Sequence, residues 1–84
     1  MSEQKKPIVY GTTWCGDSKR ARRIFDENHI GYEWIDIDQD KEAGKLVEQI
    51  NGGFRSVPTI LFPDGTTLTE PSTFQLRQKL GLEG

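Results

Sequence analysis

The sequence predicts an α/β fold of order βαβαββα, a four-stranded mixed sheet with helices on both faces. Three observations predict it. Short apolar runs of strand length alternate with stripes of helical period. The first two runs are separated by a helix, the arrangement of a right-handed crossover between parallel strands. The last two runs are separated by Pro63-Asp64-Gly65-Thr66, a turn that makes an antiparallel hairpin.

The elements follow in order. Ile8-Val9-Tyr10 reads as a short buried strand ending near Gly11. A helix is expected from about Cys15 to Asn28, with Ala21, Ile24, Phe25 and Asn28 on one face. Arg22 and Asp26, and Arg23 and Glu27, are four apart on its outer side and are placed to pair weakly. Asn28-His29 and Gly31 are read as its stop. Tyr32 to Ile37 is the second strand, with Ile35 and Ile37 on one face and Tyr32 and Trp34 on the other, as suits a parallel sheet covered on both sides. Asp38-Gln39-Asp40 leads into a helix striped by Ala43, Leu46, Val47 and Ile50, and Asn51-Gly52-Gly53 ends it. Val57-Pro58 marks the entrance to a strand from Thr59 to Phe62, because proline lacks the N–H that a mid-ladder position needs. A fourth strand covers Thr66 to Thr69. Ser72-Thr73-Phe74-Gln75 has the spacing of a capping box, with Pro71 able to staple against Leu76, and the last helix runs to about Leu80 before Gly81.

Bulk properties narrow the function. Eighty-four residues make one domain, read as spanning 1–84, with residues 1–6 a flexible lead-in. A net charge of −2 argues against a general nucleic-acid binder. Lys19-Arg20 with Arg22-Arg23 is accordingly read as a solvated helix face. No apolar run approaches the ~20 residues that span a bilayer, so no membrane partner is expected. A single cysteine allows no internal disulfide, which fits a reducing compartment, the cytoplasm. Asp36, Asp38 and Asp40 mimic the start of a calcium loop, but Lys41 stands in place of its glycine and Val47 in place of its closing glutamate. No metal site is expected from them. His29 is read as a helix-end residue.

The single cysteine is the chemical focus. Cys15 sits where the first strand hands over to the first helix, and the free N–H groups and dipole at a helix start favour an anion. Thiolate is the form of cysteine that attacks disulfides. Lys19, one turn on, favours the anion, and Asp17 opposes it. Ser18 lies three residues after Cys15 on the same face. A cysteine there could resolve a mixed disulfide on Cys15. Serine can only donate a hydrogen bond to the sulfur, so the chemistry left is a monothiol cycle.

This order, with a cysteine after the first strand and Val57-Pro58 before the third, resembles the thioredoxin-like fold in its minimal, glutaredoxin form. Within that family, four stretches resemble the mycoredoxins, which work with mycothiol: Thr12-Thr13-Trp14-Cys15, Asn51-Gly52-Gly53, Arg55-Ser56-Val57-Pro58-Thr59 and Asp64-Gly65-Thr66-Thr67-Leu68-Thr69-Glu70-Pro71-Ser72. The resemblance implies a thiol–disulfide oxidoreductase that reduces mixed disulfides between proteins and a small thiol. It implies Cys15 as nucleophile, Ser18 at the position of the resolving cysteine, and a cis Pro58. Val57 would pair its backbone with an extended substrate, and Thr13, Trp14, Arg55, Thr69 and Glu70 would ring the groove. No permanently bound cofactor is expected. Mycothiol or glutathione would be the co-substrate, thiolated or disulfide-bearing proteins the partners, and the protein a monomer. Two departures qualify the match. Ser18 replaces the second cysteine of the usual Cys-x-x-Cys, and Leu68-Thr69-Glu70-Pro71-Ser72 stands where glutathione-using members carry a Gly-Gly-Cys-Asp-like segment. Two alternatives remain at this stage. One is an iron–sulfur cluster carrier, because Cys15-Gly16-Asp17-Ser18 resembles the Cys-Gly-Phe-Ser motif of monothiol glutaredoxins. The other is a non-catalytic adaptor that uses the groove only for binding.

Overall fold

The computed structural model of the protein describes residues 4–82; positions 1–3 of the expected lead-in lie outside the described residues. Strand β1 is Ile8–Gly11, helix α1 Gly16–Glu27, strand β2 Glu33–Asp36 and helix α2 Lys41–Ile50. Strand β3 is Thr59–Leu61, strand β4 Thr67–Thr69 and helix α3 Thr73–Lys79. The sheet order is β2-β1-β3-β4. β1 runs parallel to β2, with Gly11 opposite Asp36, and antiparallel to β3, with Tyr10 opposite Thr59. β3 and β4 form the antiparallel hairpin, with Thr59 opposite Thr69. Gly65, at φ +87, takes the left-handed position of the connecting turn, where a Cβ would be strained.

Alternation along the strands builds two cores, one on each side of the sheet. Val9 and Ile60 point to the face covered by α1 and α3, where they meet Ala21, Ile24, Phe25 and Leu76. Tyr10 points to the other face and meets Ile37, Ala43 and Val47 under α2. Phe25 and Val47 are fully buried, each side chain contributing about 1.5–3 kcal/mol by its removal from water. Burial also raises the Tyr10 phenol above its ordinary pKa, and the negative charges of Glu33 and Asp40 push the same way.

The ends of the elements show which local signals prevail. Asp40 caps α2 by accepting from the Ala43 N–H at 3.0 Å. Ser72 and Gln75 form both bonds of the capping box on α3, at 3.0 and 2.9 Å. Asn28 ends α1, and His29, at φ +57, takes the left-handed turn; among the residues read as the stop, Gly31 is not the one that does so.

Two expectations are corrected. The ladder of β2 is shorter than Tyr32 to Ile37, and β2 is a half-buried edge strand, though Ile37 still donates to the Gly11 carbonyl at 3.0 Å. Among the described residues, Arg22 forms no ion pair with Asp26, nor Arg23 with Glu27. Arg22 instead lies 4.1 Å over the half-buried Trp34 ring and donates from Nε to the Tyr32 hydroxyl at 3.4 Å, because a cation on an aromatic face and a surface ion pair are of similar worth and the ring of the adjacent edge strand lies within reach. Separately from these corrections, Gln4 of the lead-in donates from Nε2 to the Leu61 carbonyl at 2.8 Å.

Candidate functional site

Topology gathers the sequence-predicted residues at one end of the sheet. Because β1 and β2 are parallel, their carboxyl ends lie side by side. β3 starts at that end, and β4 finishes there. The segments after β1, after β2, before β3 and after β4 therefore converge, as ligand-binding segments do at the carboxyl edge of α/β sheets.

Cys15 is the N-cap residue of α1, with extended backbone and no capping bond from its side chain. Its sulfur is thus not used to cap the helix. It is partly exposed, and its Sγ lies 3.8 Å from the carbonyl oxygen of Val57. The Val57–Pro58 peptide bond is cis. Pro58 is buried and its carbonyl accepts from the Glu70 N–H at 2.8 Å, which ties the start of β3 to the end of β4. Glu70 adopts φ +48, with its side chain exposed.

Ser18 is placed differently from the expectation. It is 0% exposed, and its Oγ accepts from the Thr12 N–H at 3.4 Å. Among the described residues no hydrogen bond joins it to the Cys15 sulfur. The first turn of α1 turns this position inward against β1, so tightly that a Cβ on Gly11 would come within 2.5 Å of Ser18 Oγ. Asp17 pairs with Arg20 at 3.5 Å, and Lys19 lies with Arg22, Arg23 and Asp26 around an open depression on the outer face of α1.

Beside the sulfur is a cavity of about 160 Å³, lined by Thr12, Trp14, Ile37, Asp38, Arg55 and Val57. Trp14 and Arg55, both expected at the groove, are brought together here with Val57. Asp38 joins them, though the sequence reading gave it no such part. Trp14 donates from Nε1 to one Asp38 oxygen at 2.8 Å, and the Arg55 guanidinium sits 3.8 Å from the other. Arg55 also donates to the Ile37 carbonyl at 3.3 Å. The three aspartates that mimic a calcium loop are thereby spent on separate tasks: Asp36 accepts from the Asp38 N–H at 2.9 Å, Asp38 holds Trp14, and Asp40 caps α2. Asp38 is 24 positions from Trp14, so only the parallel pairing of β1 with β2 could have signalled the contact.

Thr69 is not turned to the cavity by any hydrogen bond. Its hydroxyl donates to Asn51 Oδ1 at 2.6 Å. Asn51 in turn donates to the Val47 carbonyl and to Thr59 Oγ1, both at 2.9 Å, and Thr59 donates to the Ser56 carbonyl at 2.7 Å. The residue read only as a helix terminator is a clip joining α2, the start of β3 and the end of β4. Thr13 is exposed and lines no part of the cavity.

Comparison with known proteins agrees with this geometry. The glutaredoxin family model matches residues 8–66. A Mycobacterium tuberculosis protein named "Putative glutaredoxin" is 42% identical over 72 residues, covering 86% of each chain. Mycoredoxin 1 of Corynebacterium glutamicum is 38% identical over 72 residues, covering 86% of this chain and 89% of the relative. Among solved structures, a variant of a thioredoxin-like protein superposes with a TM-score of 0.77 at 24% identity, over 89% of this chain and 99% of that one. The family match runs from β1 through Cys15 and the Val57–Pro58 bond to the β3–β4 turn, and the chain belongs to the glutaredoxin family, a family of thiol redox function.

Proposed function

We propose that the protein is a thiol–disulfide oxidoreductase that reduces mixed disulfides between proteins and a small thiol, mycothiol before glutathione, through Cys15 alone. The observation that carries this reading is the placement of Cys15: a free, partly exposed sulfur at a helix N-cap, 3.8 Å from the Val57 carbonyl. The likeness to Mycoredoxin 1 supports mycothiol as the first choice. So does the Thr69-Glu70-Pro71-Ser72 stretch, where glutathione-using members carry a different segment.

The cycle is balanced as follows. The Cys15 thiolate attacks the small-thiol sulfur of a protein mixed disulfide, and the protein leaves as its thiol after taking a proton. A second small thiol, as thiolate, attacks the sulfur of its twin on Cys15, giving the symmetric small disulfide and regenerating Cys15. Two electrons pass from two small-thiol equivalents to the protein substrate. Ser18 cannot shorten this cycle, having no sulfur to form an internal disulfide. Thr13, Trp14, Arg55, Val57, Thr69 and Glu70 are proposed as the surroundings of the groove, with Pro58 as its platform. The whole chain is taken to act as one domain and as a monomer, in the cytoplasm. No described helix is long and apolar enough to cross a membrane.

Incubating the reduced protein with oxidised mycothiol and with oxidised glutathione, then weighing the products, tests the reading. Native protein gains the mass of one small thiol, and a Cys15→Ala variant gains none. A native protein that forms no adduct with either would defeat the proposal. Brown colour from a [2Fe–2S] cluster after anaerobic reconstitution would instead favour a cluster carrier.

A further inference from the structure

The face of the sheet under α2 is covered over only part of its length. α2 starts after its cap Asp40 and ends at Asn51, which bonds Thr59 at the start of β3 and Thr69 at the end of β4. The helix therefore crosses the half of the sheet nearer Cys15. In the other half, one row of the ladder lies beyond it: Ile8, with Glu33 opposite on β2 and Leu61 opposite on β3. Ile8 and Leu61 pack on the core from one side and remain only partly buried. On this row lies a cavity of about 530 Å³, bordered by the lead-in arm that Gln4 ties to the Leu61 carbonyl.

The fold leaves the polar lining of this cavity unused. Tyr10 lines it and is 5% exposed, yet its hydroxyl has no hydrogen-bond partner among the described residues. That oxygen also keeps access to solvent, because the sealed and unpartnered side-chain oxygen among the described residues is that of Thr12. Phenylalanine would fill the same volume, so core packing does not account for the phenol oxygen. Glu33 lines the cavity from β2, and the Tyr10 phenol feels its negative charge together with that of Asp40. Lys5 and Lys6 line it from the arm tied to β3. Among the described residues none of Glu33, Lys5 and Lys6 forms an ion pair. Neighbouring strands are about 4.8 Å apart, so Glu33 and Leu61, on either side of β1, are separated by roughly 10 Å. An apolar floor thus runs between a negative end and a positive end.

We propose that this cavity is a binding site for an elongated zwitterion, an apolar body with an ammonium group at one end and a carboxylate at the other. The ammonium donates to the Glu33 carboxylate and the Tyr10 hydroxyl, the carboxylate accepts from Lys5 and Lys6, and the body covers Ile8 and Leu61. A ligand with only one of the two charges leaves the opposite end of the cavity unpaired, and its like-charged end is a repulsive element. The volume falls in the range of roughly 300–1,000 Å³ that holds small molecules. The site lies at the end of β1 remote from Cys15 and does not depend on the redox reading.

Amide chemical shifts of the isotope-labelled protein, titrated with tranexamate, test the proposal; this probe is a cyclohexane ring with an aminomethyl group and a carboxylate at opposite ends. Saturable shifts are expected at Ile8, Tyr10 and Glu33, with a Kd on the order of millimolar. Cyclohexanecarboxylate and cyclohexylmethylamine, each lacking one charge, should bind about three- to tenfold more weakly. Glu33→Gln should weaken tranexamate by about threefold and leave cyclohexanecarboxylate no weaker. Replacing both lysines, Lys5→Ser with Lys6→Ser, should abolish the preference for tranexamate over cyclohexylmethylamine. Tyr10→Phe should weaken the two amines about two- to fivefold and spare cyclohexanecarboxylate. The proposal is overturned if no saturable shift appears at these residues up to about 20 mM, if the shifts fall at the Cys15 end, or if either single-charge compound binds as well as tranexamate. Glu33, Lys5 and Lys6 are exposed, so their variants decide the matter even if Tyr10→Phe does not fold.

Discussion

Replacing Asn51 with alanine should loosen the candidate site without touching it. The Asn51 amide donates to the Val47 carbonyl and to Thr59 Oγ1 and accepts from Thr69 Oγ1, at 2.9, 2.9 and 2.6 Å. At about 0.5–1.5 kcal/mol each, these bonds together contribute on the order of 2–3 kcal/mol after Thr69, which is exposed, is allowed to find water. Thr59 is fully buried but keeps its bond to Ser56, so its hydroxyl is not stranded. For a domain of this size about 1 kcal/mol moves the melting temperature by ~4–8 °C, which gives an expected drop of roughly 10–20 °C. Thermal melting followed by far-ultraviolet circular dichroism measures it, and urea unfolding supplies the free energy. The rate of Cys15 adduct formation should fall as well, since Thr59 opens the strand that carries Val57 and Pro58 to the sulfur. A melting temperature within about 2 °C of the native value, with an unchanged adduct rate, would refute the assignment of Asn51 as a clip.

Three further outcomes are expected. Gly11→Ala places a Cβ 2.5 Å from Ser18 Oγ and 2.9 Å from two atoms of the Trp34 ring; with little room to give, it should destabilise the fold by about 1–3 kcal/mol in urea titrations. Ser18→Cys should turn the monothiol cycle into a dithiol one, so that after reaction with an oxidised small thiol the dominant species is lighter by two hydrogens rather than heavier by one adduct. Persistence of the adduct would show that position 18, which is fully buried, cannot reach the sulfur. Asp64 accepts from Lys79 Nζ at 2.8 Å and from the Thr66 hydroxyl and N–H, which hold its carboxyl well below the usual carboxylate range. Because the folded-state pKa lies below the unfolded one, the stabilisation is complete above the unfolded value of ~3.9 and is lost as pH falls further. The stability gap between native protein and Asp64→Asn, read by urea titration at several pH values, should therefore be constant near neutrality and shrink steadily as pH falls below about 4 toward the depressed folded-state value. A gap of the same size at about pH 2 as at about pH 7 would contradict this.

Much of the fold is legible along the chain because its causes are local. The stripe through Ala21, Ile24 and Phe25 specifies α1, and the capping box at Ser72 and Gln75 starts α3 where the spacing placed it. The opposed faces of the segment around β2, Tyr32 and Trp34 against Ile35 and Ile37, pack on the two cores as the alternation required. Local signals misplace what neighbours decide. Arg22 leaves Asp26 for Trp34 because β2 lies beside α1, and Asn51 does more than end a helix because β3 and β4 pass under it.

The sequence by itself determined the βαβαββα order, the cysteine at the start of α1, the proline before β3 and, through its motifs, the family. Each depends on side-chain period, turn chemistry or residue identity, which are properties of short stretches. Only the tertiary structure decided that Asp38 joins Trp14 to Arg55, that the Ser18 hydroxyl accepts from the Thr12 N–H, and that Asn51 ties α2 to β3 and β4. Those contacts form when strand pairing brings segments distant in the chain together. Their energetics depend on which groups remain desolvated and unpaired once every neighbour is in place.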